Sequence, residues 1–317
     1  MDQERINFNV VRDFSELFNT TVKFFRQNFK HFFQSIIFIA GPLVLIAAIS
    51  MAGYQYAMLS SPPVTRLGFG RAEYMNALFQ RFGWSFAVYI FFSITSNLVL
   101  ITTVYSYMLV YAANGPKNFG VAEVRKAVWQ NIGRTVKGFF ALVLLFFGIC
   151  LVIGIIAAIL GGVGLQVLIV FLFLGLLLVS PPFVWQFSTF YLVKMKDDVS
   201  SFDAMAKTRE VMRGSFFSTW LYIVVVFIAL IVISIAFSIP QTVCQVVFGI
   251  GQVEGMMSVT MIITMITQFF VILIYGIFYF MCGLHYYSLA EKKDGTSLID
   301  RIDEIGNTPT PDVEQHY

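Results

Sequence analysis

Five long reaches of the chain carry no formally charged side chain. They lie between Lys30 and Arg66, between Arg81 and Lys117, from Phe139 to Val193, from Gly214 to Val253, and from Gly255 to Ala290. A helix rises about 1.5 Å per residue, so about 20 apolar residues cross a hydrocarbon layer about 30 Å thick. Four of the reaches hold one span each. The reach from Phe139 to Val193 holds two, with Gly161, Gly162 and Gly164 near its middle. The pattern predicts six transmembrane helices, at roughly 35–57, 84–110, 138–160, 165–192, 216–239 and 259–288. These runs lack the period-2 alternation of a barrel wall. Buried helices of soluble proteins keep a solvated face, or stop at about 10–14 residues when fully apolar. The fold class read from the pattern is all-α, a polytopic helical membrane protein.

A second pattern precedes spans one, three and five. The segments FSELFNTTVKFFRQNFKHFF (14–33), VAEVRKAVWQNIGRTVKGFF (121–140) and FDAMAKTREVMRGSFF (202–217) are amphipathic at helical spacing. Without gaps, the first two match Glu16 with Glu123, Lys30 with Lys137, and Phe32–Phe33 with Phe139–Phe140. Phe14, Leu17, Phe18, Phe25, Phe29 and Phe32 are read as the apolar face of the first. Val121, Val124, Val128, Ile132 and Val136 are read as that of the second. Asp13 or Ser15 can cap the first helix and Ser200 or Ser201 the third. Such helices are expected to lie in the membrane interface, apolar face down, and to turn into the bilayer at the Phe pairs. The organisation predicted is an N-terminal segment (1–13), one transmembrane domain (14–290) with a three-fold helix-plus-hairpin pattern, and a flexible tail (291–317).

Composition agrees with this reading. Of 317 residues, 58% are hydrophobic and 12% charged, where a soluble domain carries about 25%. Charge sets the topology. Eighteen of the 21 Lys and Arg fall in the N-terminal segment, the second and fourth loops and the tail. Arg66, Arg71 and Arg81 fall on the other side. The positive-inside rule then puts both termini in the cytoplasm of a multi-pass inner-membrane protein. The net charge of +3 is accounted for by loops facing an anionic leaflet. No nucleic-acid motif is present, so the expected partners are membrane lipids and a membrane or cytoplasmic protein. The polar start of the chain does not read as a cleavable signal peptide.

Candidate chemistry is sparse. Pro42 should kink span one, and Pro181–Pro182 should bend or open span four, freeing about two carbonyls for Ser180, Thr189, water or a neighbouring helix. Asn97, Gln186 and Gln268 are strong hydrogen-bonding groups within the spans and should face protein. Together Pro42, Asn97, Pro181, Pro182, Gln186 and Gln268 mark either helix contacts or a polar cavity. The charge-free reaches put no ionisable carboxylate or base at mid-membrane depth, and no P-loop occurs. His31, His285 and His316 share no metal-ligand spacing, and Cys150, Cys244 and Cys282 form no CxxC pair. No enzyme activity, metal or cofactor is therefore expected. Trp84, Trp129, Trp185 and Trp220 fall near span ends, as in an aromatic belt.

The Phe-rich segment at 14–33, its counterparts at 121–140 and 202–217, and the Ser-Pro-Pro of span four resemble a broad group of bacterial six-helix membrane proteins of the Bacteroidetes type. More distantly they resemble the membrane domain of glycerophosphodiester phosphodiesterases and YciC-like inner-membrane proteins. The resemblance implies a membrane domain over 14–290 and no catalytic residue. The function expected is a scaffold or accessory subunit of an envelope complex. The alternative is a transporter or lipid-handling protein with a cavity near span four.

Overall fold

The computed structural model of the protein describes residues 5–59, 71–116, 118–162, 166–251 and 256–295. These form eight helices: α1 (Phe14–Ile39), α2 (Gly41–Leu59), α3 (Arg71–Asn114), α4 (Val121–Gly162), α5 (Gln166–Asp197), α6 (Ser201–Met212), α7 (Phe216–Gly251) and α8 (Met256–Asp294). No strand occurs among the described residues. Segments within α3, α4, α5, α7 and α8 are each long and apolar enough to cross a membrane. The bent pair α1–α2 meets the same criterion as one broken span. The chain is thus an all-α, polytopic membrane protein. Expected features at residues 60–70, the glycine turn at 163–165, Glu254 and the tail beyond 295 lie outside the described residues.

The three amphipathic segments are all helical, but they enter their spans differently. α1 starts at a capping box: Asp13 Oδ1 accepts from the Glu16 amide over 2.7 Å, and Glu16 Oε2 accepts from the Asp13 amide over 3.0 Å. It runs past Phe32–Phe33 and ends at Ala40, where α2 departs at 65°. Pro42 is the second residue of α2. Its ring cannot follow a helix that continues through residue 38, because ring and carbonyl collide. The turn therefore sits next to the proline and not at the Phe pair. α4 has no turn at Phe139–Phe140: it is one helix of 42 residues. α6 is capped by the Ser200 hydroxyl and separated from α7 by Arg213–Ser215. There Gly214, at φ +86°, takes a left-handed conformation open to glycine at little cost.

The buried stripes also differ from the sequence expectation. α1 buries Leu17, Thr21, Phe24, Asn28, Phe32, Ser35 and Ile36. Phe24 is 0% exposed, whereas Phe29 is 58% exposed. In α4 the buried stripe is Val124, Val128, Asn131, Thr135 and Gly138, while Val136 is exposed. These segments turn a mixed stripe of large apolar and small polar residues into protein. They leave further apolar residues on the outside. Small polar groups suit close helix contact because they bond locally or across the interface. Thr21 and Asn28 donate to the carbonyls one turn earlier. Thr102 of α3 donates to Thr135 of α4 over 2.9 Å.

Packing is concentrated at one end of the bundle. Phe8 of the N-terminal segment stacks on Tyr111 and meets Phe280 and Tyr287 of α8. Phe24, Phe32, Tyr107 and Phe119 extend the same aromatic cluster. The Arg12 amide donates to Ser288 Oγ over 2.9 Å. The N-terminal segment and the end of α8 therefore meet at this end. Ion pairs add to it: Arg134 with Asp198, Lys207 with Asp197, and Lys293 with Glu210.

Away from that end, α2, α3 and α8 stay packed together, with Ala47, Ala48 and Ala52 of α2 and Thr264 of α8 buried. The α4–α5 hairpin does not. Its most apolar stretch in α4 has none of its residues buried. Leu144 (74% exposed), Phe147, Phe171 and Leu177 all face outward. Water would make such a surface costly, at about 25 cal/mol per Å². Hydrocarbon does not, because lipid tails are as apolar as leucine.

α5 is not opened at Pro181 and Pro182 but passes through them as a continuous helix, with both prolines buried. The helix that holds the span expected at roughly 216–239 runs on through Pro240 to Gly251. Of the four tryptophans, Trp84 and Trp129 are exposed as a belt requires, but Trp185 is completely buried.

Candidate functional site: a pocket around His285

The intramembrane candidates do not converge. Asn97 Nδ2 donates to the Ser93 carbonyl, and Asn97 Oδ1 accepts from Tyr279 OH of α8 over 3.3 Å. Gln186 Nε2 is directed at the carbonyl and the sulfur of Met205 on α6. Gln268 is half-buried on α8, eleven residues from Tyr279, or about 16 Å of helix rise. Pro42 sits at the α1–α2 bend.

The prolines of α5 leave two carbonyls without an intrahelical donor, those of Leu177 and Leu178, each four residues earlier. Ser180 Oγ donates to Leu177 O over 2.8 Å. Trp220 Nε1, reaching across from α7, donates to Leu178 O over 2.6 Å. The proline pair is thereby used in helix packing. Trp220 was expected only as a belt residue.

A different cluster forms at the aromatic end. A cavity of about 290 Å³ is lined by Val11 to Phe14 and Leu17, by Ser218 and Tyr222 of α7, and by His285, Ser288, Leu289 and Lys292 of α8. The His285 ring stacks on Tyr222, with centroids 4.4 Å apart, and Trp185 approaches it edge-on at 5.6 Å. Tyr222 OH is held by the Met281 carbonyl at 3.1 Å. His285 Nδ1, Thr219 Oγ1 and Trp185 Nε1 are buried and have no hydrogen-bond partner. Buried polar groups are ordinarily satisfied, so three such atoms in one neighbourhood mark a site of interest.

Arg12 forms one wall. Its guanidinium donates to the carbonyls of Phe8 and Val10 and to that of Asn7. Burial lowers its pKa from the usual guanidinium value, and the nearby Glu16 charge acts in the opposite sense. Asp13 contributes the one carboxylate in the lining, and its Oδ1 caps α1. The lining therefore carries two cations and one anion. Among the described residues, no group of three or more His, Cys, Asp or Glu could hold a metal ion.

Sequence reasoning placed His285 near a span end and assigned it nothing. The pocket joins three segments more than 60 residues apart in the chain, and no local motif connects them. The one legible signal was the polar pair His285 and Ser288, one turn apart on an otherwise aromatic stretch of α8.

A family model described as Domain of unknown function (DUF8558) matches residues 72–308. No curated protein and no solved structure matches the chain.

Proposed function

The chain belongs to the DUF8558 family, a domain of unknown function, and on that footing we propose that it is a non-enzymatic scaffold or accessory subunit of a bacterial envelope complex. In this reading it sits in the inner membrane with six spans and both termini in the cytoplasm. The amphipathic segments are on the cytoplasmic side, the second of them as an unbroken extension of its span, and the likeness to bacterial six-helix membrane proteins is one of architecture alone.

The observation that carries the reading is the α4–α5 hairpin. Among its described residues, those from 143 to 162 in α4 are all at least partly exposed, and Val167, Val170, Phe171 and Leu174 of α5 are exposed as well. The polar residues that would build a transport path are meanwhile engaged in helix contacts: Asn97 with Tyr279, and Gln186 with Met205. A two-helix surface held out from a compact base suits lateral association with another membrane helix.

A photo-crosslinking side chain at Leu144, Phe147, Phe171 or Leu177, activated in native membranes, tests it. The reading expects a discrete protein adduct from one face of the hairpin. Lipid adducts alone from every position would overturn it. A second reading, lipid handling, is favoured by the pocket around His285, which lies beside exposed apolar side chains at the interface.

A further inference from the structure

We propose that the pocket around His285 binds the phosphate-bearing head of an anionic membrane lipid. This goes beyond the scaffold reading and does not depend on it. Four observations support the assignment.

The first is the donor set. Arg12, Lys292, Ser218 and Ser288 converge on the cavity with His285. Three N–H bonds to backbone carbonyls hold the Arg12 guanidinium in place. A guanidinium has five donors in a fixed fork, so two remain in a position set in advance. The lining sets Arg12 and Lys292 against the single carboxylate of Asp13, whose Oδ1 accepts from the Glu16 amide, and the Glu16 charge acts on Arg12 from outside the lining.

The second is the helix terminus. Ser218 lies in the first turn of α7, and the first intrahelical bond of that helix is Thr219 N–H to Ser215 O over 2.9 Å. The Ser215 amide is held by Met212 O, while the amides of Phe216, Phe217 and Ser218 open the helix, at the end where the dipole favours an anion.

The third is the buried His285. It lines the cavity at 2% exposure, and its Nδ1 has no partner. A phosphate oxygen is an acceptor for an imidazole N–H, and a protonated phosphate or a glycerol hydroxyl is a donor to an imidazole nitrogen. Thr219 and Trp185 are not among the residues that line the cavity.

The fourth observation selects an amphiphile over a soluble phosphate. Phe14, Phe217 (83% exposed) and Leu221 expose large apolar side chains at the same level. Phe14 packs edge-on to Tyr222, with centroids 6.1 Å apart. A head group in the cavity thus leaves its acyl chains against apolar side chains at the surface of the bundle. The cavity volume also lies near the lower end of small-ligand sites, at about 300 Å³, which suits a head group and not a whole lipid.

The full chain, purified in a neutral detergent, is titrated with dioleoylphosphatidylglycerol, dioleoylphosphatidylcholine or inorganic phosphate. Bound lipid is counted by native mass spectrometry and stability is followed by thermal shift. One phosphatidylglycerol should be retained and should raise the melting temperature, while phosphatidylcholine and phosphate should do so far less. Lys292→Gln and Ser218→Ala change exposed side chains, so folding is not at stake. Lys292→Gln should weaken phosphatidylglycerol binding about fivefold, the effect of about 1 kcal/mol per cation near a head group. Lys126→Gln, an exposed cation outside the pocket, should leave it unchanged. Equal retention of the two lipids would overturn the proposal, as would equal losses in Lys292→Gln and Lys126→Gln. An equal thermal shift with inorganic phosphate would overturn the lipid assignment.

Discussion

The indole N–H of Trp220 on α7 donates to the carbonyl of Leu178 on α5 over 2.6 Å, the carbonyl that Pro182 deprives of its own helical donor. A sequence feature that reads as a helix breaker is thus part of an interhelix bond. A carbonyl left unpaired in hydrocarbon costs several kcal/mol, and the Trp220 donor offsets that cost. Trp220→Phe should lower stability by about 1–3 kcal/mol. Pro182→Ala restores an amide to Leu178, so in that background the cost of Trp220→Phe should fall below about 1 kcal/mol. A double-mutant cycle by thermal unfolding in detergent measures the coupling. Additive effects would refute the pairing.

Gly138 of α4 lies close against α5 at the packed end. A Cβ there would lie 2.8 Å from Cε1 of the buried Phe190 ring and 3.3 Å from Cδ of Lys194. Gly148, three turns on, would meet nothing within 4 Å. Gly138→Ala should cost about 1–3 kcal/mol through overpacking. Gly148→Ala should be neutral or stabilise by up to about 1 kcal/mol, from helix propensity alone. Melting temperatures that move in the same direction for the two variants would contradict the packing described.

The sequence already showed where chain meets lipid, because excluding charge from hydrocarbon leaves long unmistakable runs. It did not show which apolar residue meets lipid and which meets protein. Phe24 and Phe29 are chemically the same, five residues apart, and one is buried while the other is exposed. In water that difference would appear as a polar outer face. In a membrane both surroundings are apolar, and the hydrophobic pattern loses its phase. The better signal was the small polar residues Thr21, Asn28 and Ser35, and Asn131 and Thr135, which mark the protein-facing stripes. Trp185 was misread for the same reason. The pocket was not legible because Arg12, Ser218 and His285 come together only through tertiary packing.

Glu210 on α6 and Lys293 at the end of α8 meet at 2.6 Å. The lysine's hydrogen bond and charge hold the Glu210 carboxyl below the usual carboxylate range. A carboxyl with a lowered folded-state pKa contributes stability above its unfolded pKa of about 4.3, and that contribution is lost as pH falls through the folded value. The pair is exposed, so the effect is small and screened by salt. Glu210→Gln should lower the melting temperature slightly near neutral pH in low salt, and the gap from the parent protein should close under acid or high-salt conditions. A gap that widens with acidification would contradict this sign.

The central claim is that the chain crosses a membrane repeatedly, with both ends on one side and the tip of the α4–α5 hairpin on the other. Cysteine accessibility in intact cells tests it most directly. Cys150, Cys244 and Cys282 are first replaced by Ala, and single cysteines are then placed by Asn9→Cys, Asp294→Cys and Gly162→Cys. The account predicts that a membrane-impermeant maleimide labels position 162 at once, and labels positions 9 and 294 only after the membrane is permeabilised. Labelling of positions 9 and 294 from opposite sides, or of position 162 together with them, would contradict it.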